Sequence, residues 1–120
     1  MKNYKDLTLD NVKELTGKTI EVRYPGYKHQ GGTKTFVVGE VISEYEYAKR
    51  DTSISNPNFA NRAEYWESFM DKKEIQGMKQ KICILTAEGK NTFIRAYSDE
   101  GIFWCGDSDR YVDFRIIDEN

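Results

Sequence analysis

The sequence predicts an α+β fold: a small curled antiparallel β-sheet, or SH3-like half-barrel, of five to six strands with two attached helices. Three observations predict it. Short runs such as KTIEVRY (18–24) and NTFIRAY (91–97) alternate apolar and polar residues and end in tight polar turns, as strands of a meander do. The long β-branched and aromatic run TKTFVVGEVISEYEYA (33–48) slips its alternation by one residue at Gly39. Only LTLDNVKELTG (7–17) and FANRAEYWESFMDKKE (59–74) repeat their apolar residues at helical spacing.

In chain order, Thr8 is placed to cap a short helix over 9–16, with Asp10 in the first turn and Leu7 and Val12 at the spacing of a hydrophobic staple. Gly17 ends it. Over 18–24, Ile20, Val22 and Tyr24 face one side, and Thr19, Glu21 and Arg23 the other; Pro25 and Gly26 then break the strand. The next strand spans 35–47. A glycine at a phase slip marks a bulge or bend, so this strand is read as serving two sides of a curled sheet. The polar stretch KRDTSISNPN (49–58) is a loop. A helix follows over 60–72, with Asn61 and Glu64 as its capping pair, Phe59, Ala63, Trp66 and Met70 on its inner face, and Gly77 closing the segment. Strands return at 79–86, 91–97, 102–105 and 110–118, separated by the turns AEGK and SDEG and the acidic loop GDSD.

The chain's 120 residues suit a single domain, 1–120. Hydrophobic residues make up 38%, a modest share that eight Tyr, six Phe and two Trp offset with bulk. With 18 basic and 20 acidic side chains the net charge is −2, which does not provide the overall basic excess of an avid, sequence-independent nucleic-acid binder. No apolar run approaches the roughly 18 residues that cross a bilayer, and MKNYKDLTLDN carries no signal-peptide core. The expectation is a cytoplasmic protein without membrane partners. Cys83 and Cys105 lie in apolar surroundings and are expected to be buried, reduced and dispensable. Two cysteines and one histidine are too few for structural zinc.

No motif identifies an enzyme. The string GYKHQGGTK does not satisfy the phosphate-loop pattern, and no helix pattern follows it. Asp107 and Asp109 fail the EF-hand pattern because Arg110 and Tyr111 follow where a third ligand is needed, so no metal and no cofactor are expected. His29 is the only base of its type and lies far in sequence from both thiols.

Two binding elements remain. The stretch RYPGYKHQGGTKT (23–35) joins two strand signals with about ten residues where two to five usually suffice, and it offers Tyr27, Lys28, His29 and Lys34 to a partner. On the strands, Phe93, Arg95 and Tyr97 share one face, as do Tyr111, Asp113 and Arg115. If those strands are neighbours, aromatics and arginines interleave on one surface, with Arg110 beside it. The helix at 60–72 also carries more aromatic surface than one stripe buries, including Tyr65 and Phe69, which leaves a homo-oligomer open.

The function expected from this is a non-enzymatic interaction module binding a protein partner through an aromatic and charged surface. Such a composition suits an accessory protein of a phage or mobile element that inhibits or sequesters a host component. The alternative is nucleic-acid or nucleotide binding through the Phe93/Arg95/Tyr97 face and the Lys28–Lys34 loop.

Overall fold

Alternation along the strands decides the architecture. Ile20 and Val22, Val38, Ile94 and Ala96, and Phe114 are all buried, and the residues between them face outward or toward a second layer. The computed structural model describes residues 3–23, 32–105 and 112–117. Its strands are β1 (Lys5–Asp6), β2 (Thr19–Arg23), β3 (Thr33–Ser43), β4 (Lys81–Thr86), β5 (Asn91–Tyr97), β6 (Trp104–Cys105) and β7 (Asp113–Ile116). Its helices are α1 (Leu9–Val12), α2 (Glu44–Arg50), α3 (Arg62–Glu67) and α4 (Lys72–Gln80). The expected α+β class with a curled antiparallel sheet is observed, but the described residues form seven strands and four helices rather than five to six strands and two helices. The sheet runs β1-β7-β2-β3-β4-β5-β6, antiparallel throughout.

β3 holds the curl together. Thr33 to Val37 pair with β2, Val38 to Ser43 pair with β4, and the register shifts between Val38 and Val41. Gly39 sits at that shift because β4 passes too close for a side chain: a Cβ there would lie 2.3 Å from the Thr86 carbonyl oxygen. The bulge expected at this glycine is therefore present. The sheet does not close into a continuous barrel ladder, but its two ends meet at Leu7. The Leu7 N–H donates to the Val112 carbonyl (3.2 Å) and the Leu7 carbonyl accepts from Phe103 (3.0 Å). Val112 in turn donates to Phe103 (2.9 Å). Inside the curl lies the main core, which includes Leu7, Val12, Ile20, Val22, Ile84, Ile94, Phe103 and Phe114.

Four expectations need correction. The strand read to Tyr47 stops at Ser43, whose hydroxyl accepts from the Glu46 N–H (3.0 Å) and caps α2. Glu44 and Glu46 in the first turn and Lys49 and Arg50 in the last complement the helix dipole, which outweighs the Tyr45/Tyr47 alternation. The helix read over 60–72 is two helices. Asn61 caps α3 as expected, accepting from Glu64 (2.9 Å). Ser68 then bonds the Tyr65 carbonyl (2.6 Å), and Asp71 opens α4 in a capping box with Glu74. Gly77 lies inside α4 rather than closing it, so 79–80 are helical and β4 begins at Lys81. Finally, α1 is four residues long rather than two turns, although Thr8 caps it, and the two-residue β1 had no sequence signal.

The helices α2 and α4 contact β3 and β4 on the side away from the main core. Ala48, Ala63, Cys83 and Leu85 are buried there, outside the main cluster, and form a thin second core of mostly small residues.

Candidate partner-binding face

The helical layer stops at β5. Alternation on that strand turns Thr92, Ile94 and Ala96 into the core and Phe93, Arg95 and Tyr97 outward, as the sequence predicts. Phe93 is 67% exposed and Tyr97 36%. Arg95 pairs in register with Trp104 of β6, which places that indole on the same face, 5.2 Å from the Tyr97 ring between centroids. Two lysines approach the rings. The Lys34 ammonium lies 5.6 Å from the centre of Phe93, and Lys81, opposite Tyr97 in β4, lies 5.8 Å from its ring. Both are within cation–π range.

Arg95 itself is occupied. Its Nε faces the buried carboxylate of Glu44, the first residue of α2, and its Nη1 donates to the Thr92 carbonyl (2.9 Å). The pair marks the border between the helical layer and the open face. Cys83 lies opposite Arg95 in β4 and is fully buried and unbridged. Burial, and then the Glu44 charge, push its thiol up to about 12, so it stays protonated at neutral pH and is a poor nucleophile.

The outer face of β1, β7 and β2 differs. Arg23 makes a two-pronged bond to Asp113 (3.0 and 2.6 Å), and Arg115 Nε donates to Glu21 (2.8 Å). The Tyr4 hydroxyl donates to the same Glu21 carboxylate, and both guanidiniums lie against the Tyr4 ring, at 4.0 Å for Arg23 and 5.0 Å for Arg115. The Tyr4 hydroxyl and the Arg115 guanidinium beside Glu21 hold its carboxyl below the usual range.

The structure sets Phe93, Arg95 and Tyr97 along β5 and brings Lys34, which alternates with Phe36 on the core-facing side of β3, against the Phe93 ring alone. It does not pair Arg115's strand with theirs: β7 pairs with β1 and β2, and β5 with β4 and β6, so the condition for one interleaved aromatic–arginine surface is not met. Tyr24, Tyr27, Lys28, His29, Asp107, Asp109, Arg110 and Tyr111, and the side chain of Cys105, lie outside the described residues. Sequence reasoning missed Trp104 and Lys81. Both had a signal: Trp104 follows the buried Phe103 and is itself half-buried at the edge of the core, and Lys81 opens a strand. What was missing was the pairing that sets them beside β5.

A second aromatic patch lies on the helices, where Tyr65 stacks against Phe59 (5.7 Å) and Phe69 (5.0 Å), and Phe69 is 59% exposed. Near it α2, α3 and α4 enclose a shallow concavity of ≈ 450 Å³, lined by Tyr45, Met70, Ile75 and Lys79 among others. Compared with protein-family models, curated proteins and solved structures, the chain shows no match.

Proposed function

We propose that this chain is a non-enzymatic interaction module that binds a protein partner through the outer face of β5 and β6, with Phe93 and Tyr97 as its anchors. One observation carries the reading. Phe93 stands mid-strand beside the buried Ile94, yet is 67% exposed at the point where the helical layer ends. Burying such a ring on association stabilises a complex by about 2 kcal/mol, the scale of an interface hot spot. A module of this kind acts by occupancy, covering or sequestering what it binds, and the cytoplasm is the proposed compartment. The curl's likeness to an SH3-like half-barrel belongs to the same proposal and carries no function by itself.

Nucleic-acid binding is the weaker reading because the guanidiniums are engaged. Among the described residues every arginine has a carboxylate: Arg23 with Asp113, Arg50 with Glu40, Arg62 with Asp51, Arg95 with Glu44 and Arg115 with Glu21. Contact with phosphates would require breaking these pairs. The test is capture of a partner from host lysate, with and without nuclease, by the native chain and by a Phe93→Ala/Tyr97→Ala variant. The expected result is a nuclease-resistant protein whose affinity falls about thirtyfold or more in the variant, while Tm stays within about two degrees. Undiminished capture by the variant sinks the reading; nuclease-sensitive capture with a steep salt dependence transfers the function to nucleic acid.

A further inference from the structure

The helical layer leaves its own packing unfinished. Its fully buried apolar side chains are few and mostly small: Ala48 and Ala63 from the helices, with Cys83 and Leu85 from β4. α4 has an amphipathic sequence, yet none of its nine residues is buried. Between α3 and α4 the chain carries an aromatic knob. Phe69 is 59% exposed and Tyr65 40%, and their rings lie 5.0 Å apart. The next residue, Met70, already lines the concavity of ≈ 450 Å³, whose other apolar walls are Tyr45 and Ile75. Knob and hollow are therefore neighbours on one surface, and residues 44–80, which build it, are all described.

We infer that this surface is the contact between two copies of the chain related by a twofold axis, with Phe69 of each seated in the concavity of the other. Shape and charge both select a second copy over a foreign protein. A twofold contact requires a surface that complements itself, and an apolar knob beside a partly apolar hollow does so. A knob and hollow on opposite sides of the molecule would chain copies into filaments, whereas adjacent ones close as a pair. The charges follow the same pattern. Around the concavity stand two carboxylates, Glu67 and Asp71, and two ammoniums, Lys72 and Lys79. Among the described residues neither lysine lies within ion-pair distance of a carboxylate. Equal numbers of both signs let a rotated copy pair acid with base, while a uniformly acidic or basic partner meets like charge at half the rim. Seating Phe69 against Met70 and Ile75 also covers apolar surface that a single chain leaves half-exposed.

Sedimentation velocity of the full chain, from low micromolar to about 200 µM, covers the range of weak and moderate dimers. The expected result is a species of twice the chain mass that dissociates on dilution. Phe69→Ser removes the knob, and Gln76→Trp, at an exposed position lining the concavity, fills the hollow. Each should weaken dimerisation at least tenfold while far-UV circular dichroism stays native. An equimolar mixture of the two variants should associate more tightly than either alone, because the knob of one still fits the hollow of the other. A chain that stays monomeric throughout, a mixture no better than its parts, or growth past the dimer overturns the inference. So does capture of a foreign protein through Phe69 by a chain that does not itself dimerise. The Phe93→Ala/Tyr97→Ala variant should dimerise as the native chain does, whatever becomes of its partner capture. Loss of the dimer in that variant would move the contact to β5 and β6 and overturn the helical interface.

Discussion

The two ends of the sheet present outer faces built from similar residue types put to opposite uses. Over β1, β7 and β2 the aromatic ring of Tyr4 is covered by two guanidiniums, and each guanidinium meets a carboxylate across the strands. That surface satisfies itself. Over β5 and β6 the rings of Phe93 and Tyr97 each have a lysine beside them, Trp104 lies against Tyr97, and the local arginine is drawn away to the buried Glu44. An aromatic-and-basic composition therefore does not mark a binding surface by itself. What marks it is whether the charges and rings find their partners within the chain.

Three changes sharpen this contrast. The largest effect is expected at the junction of the halves. Gly39→Ala places a methyl against the Thr86 backbone and forces β3 and β4 apart, at a cost of about 3 kcal/mol in urea unfolding. A variant as stable as the native chain would mean that the bulge is not constrained there.

The helical layer offers the second. Asp51 accepts from the Ser53 hydroxyl (2.5 Å), from Arg62 (2.7 Å) and from the Ser53 N–H (3.0 Å), and these bonds hold its carboxyl down at about 2. Because the folded value lies below the ordinary value near 4, the stabilisation is present above pH ~4 and is lost as pH falls toward 2. It amounts to about 2 kcal/mol, and Asp51→Asn should remove that part of the acid dependence from urea titrations. An unaltered pH slope in the variant would show that the link between α2 and α3 does not rest on this carboxylate.

The smallest effect is expected on the self-satisfied face. Glu21→Gln weakens the bonds to Tyr4 and Arg115, and should lower Tm by a few degrees at most without altering partner capture. Lost capture would mean that this end of the sheet also takes part in binding.

The strands were legible in the sequence because alternation is a local signal: Ile20/Val22 and Thr92/Ile94/Ala96 fall on the buried face by period alone. The slip at Gly39 was legible for the same reason. The helix at Glu44 was hidden because Tyr45 and Tyr47 continue a strand rhythm, while the cap that overrides it, Ser43 on Glu46, is a single hydrogen bond. The break between α3 and α4 was hidden by an aromatic stripe that runs through it. Of the candidate face, Phe93, Arg95 and Tyr97 could be grouped from one strand. Joining Trp104, Lys81 and Lys34 to them, and separating Arg115 from them, required the strand order, which is a property of long-range pairing and leaves no mark in a local window.

Leu7 sets the terms on which this chain can fold. Its two backbone groups join the sheet's ends by bonding Phe103 and Val112, residues nearly the whole chain away. Such contacts, like the β1–β7 pairs beside them, carry a high loop-closure entropy and give nothing back until the intervening strands are in register. The nucleus therefore belongs to the local hairpins, β2 with β3 and β4 with β5, and the N-terminal clasp closes late. Until it closes, both strand edges stand open to solvent and to other chains. The interval before Leu7 docks is the period in which this protein is most exposed to aggregation.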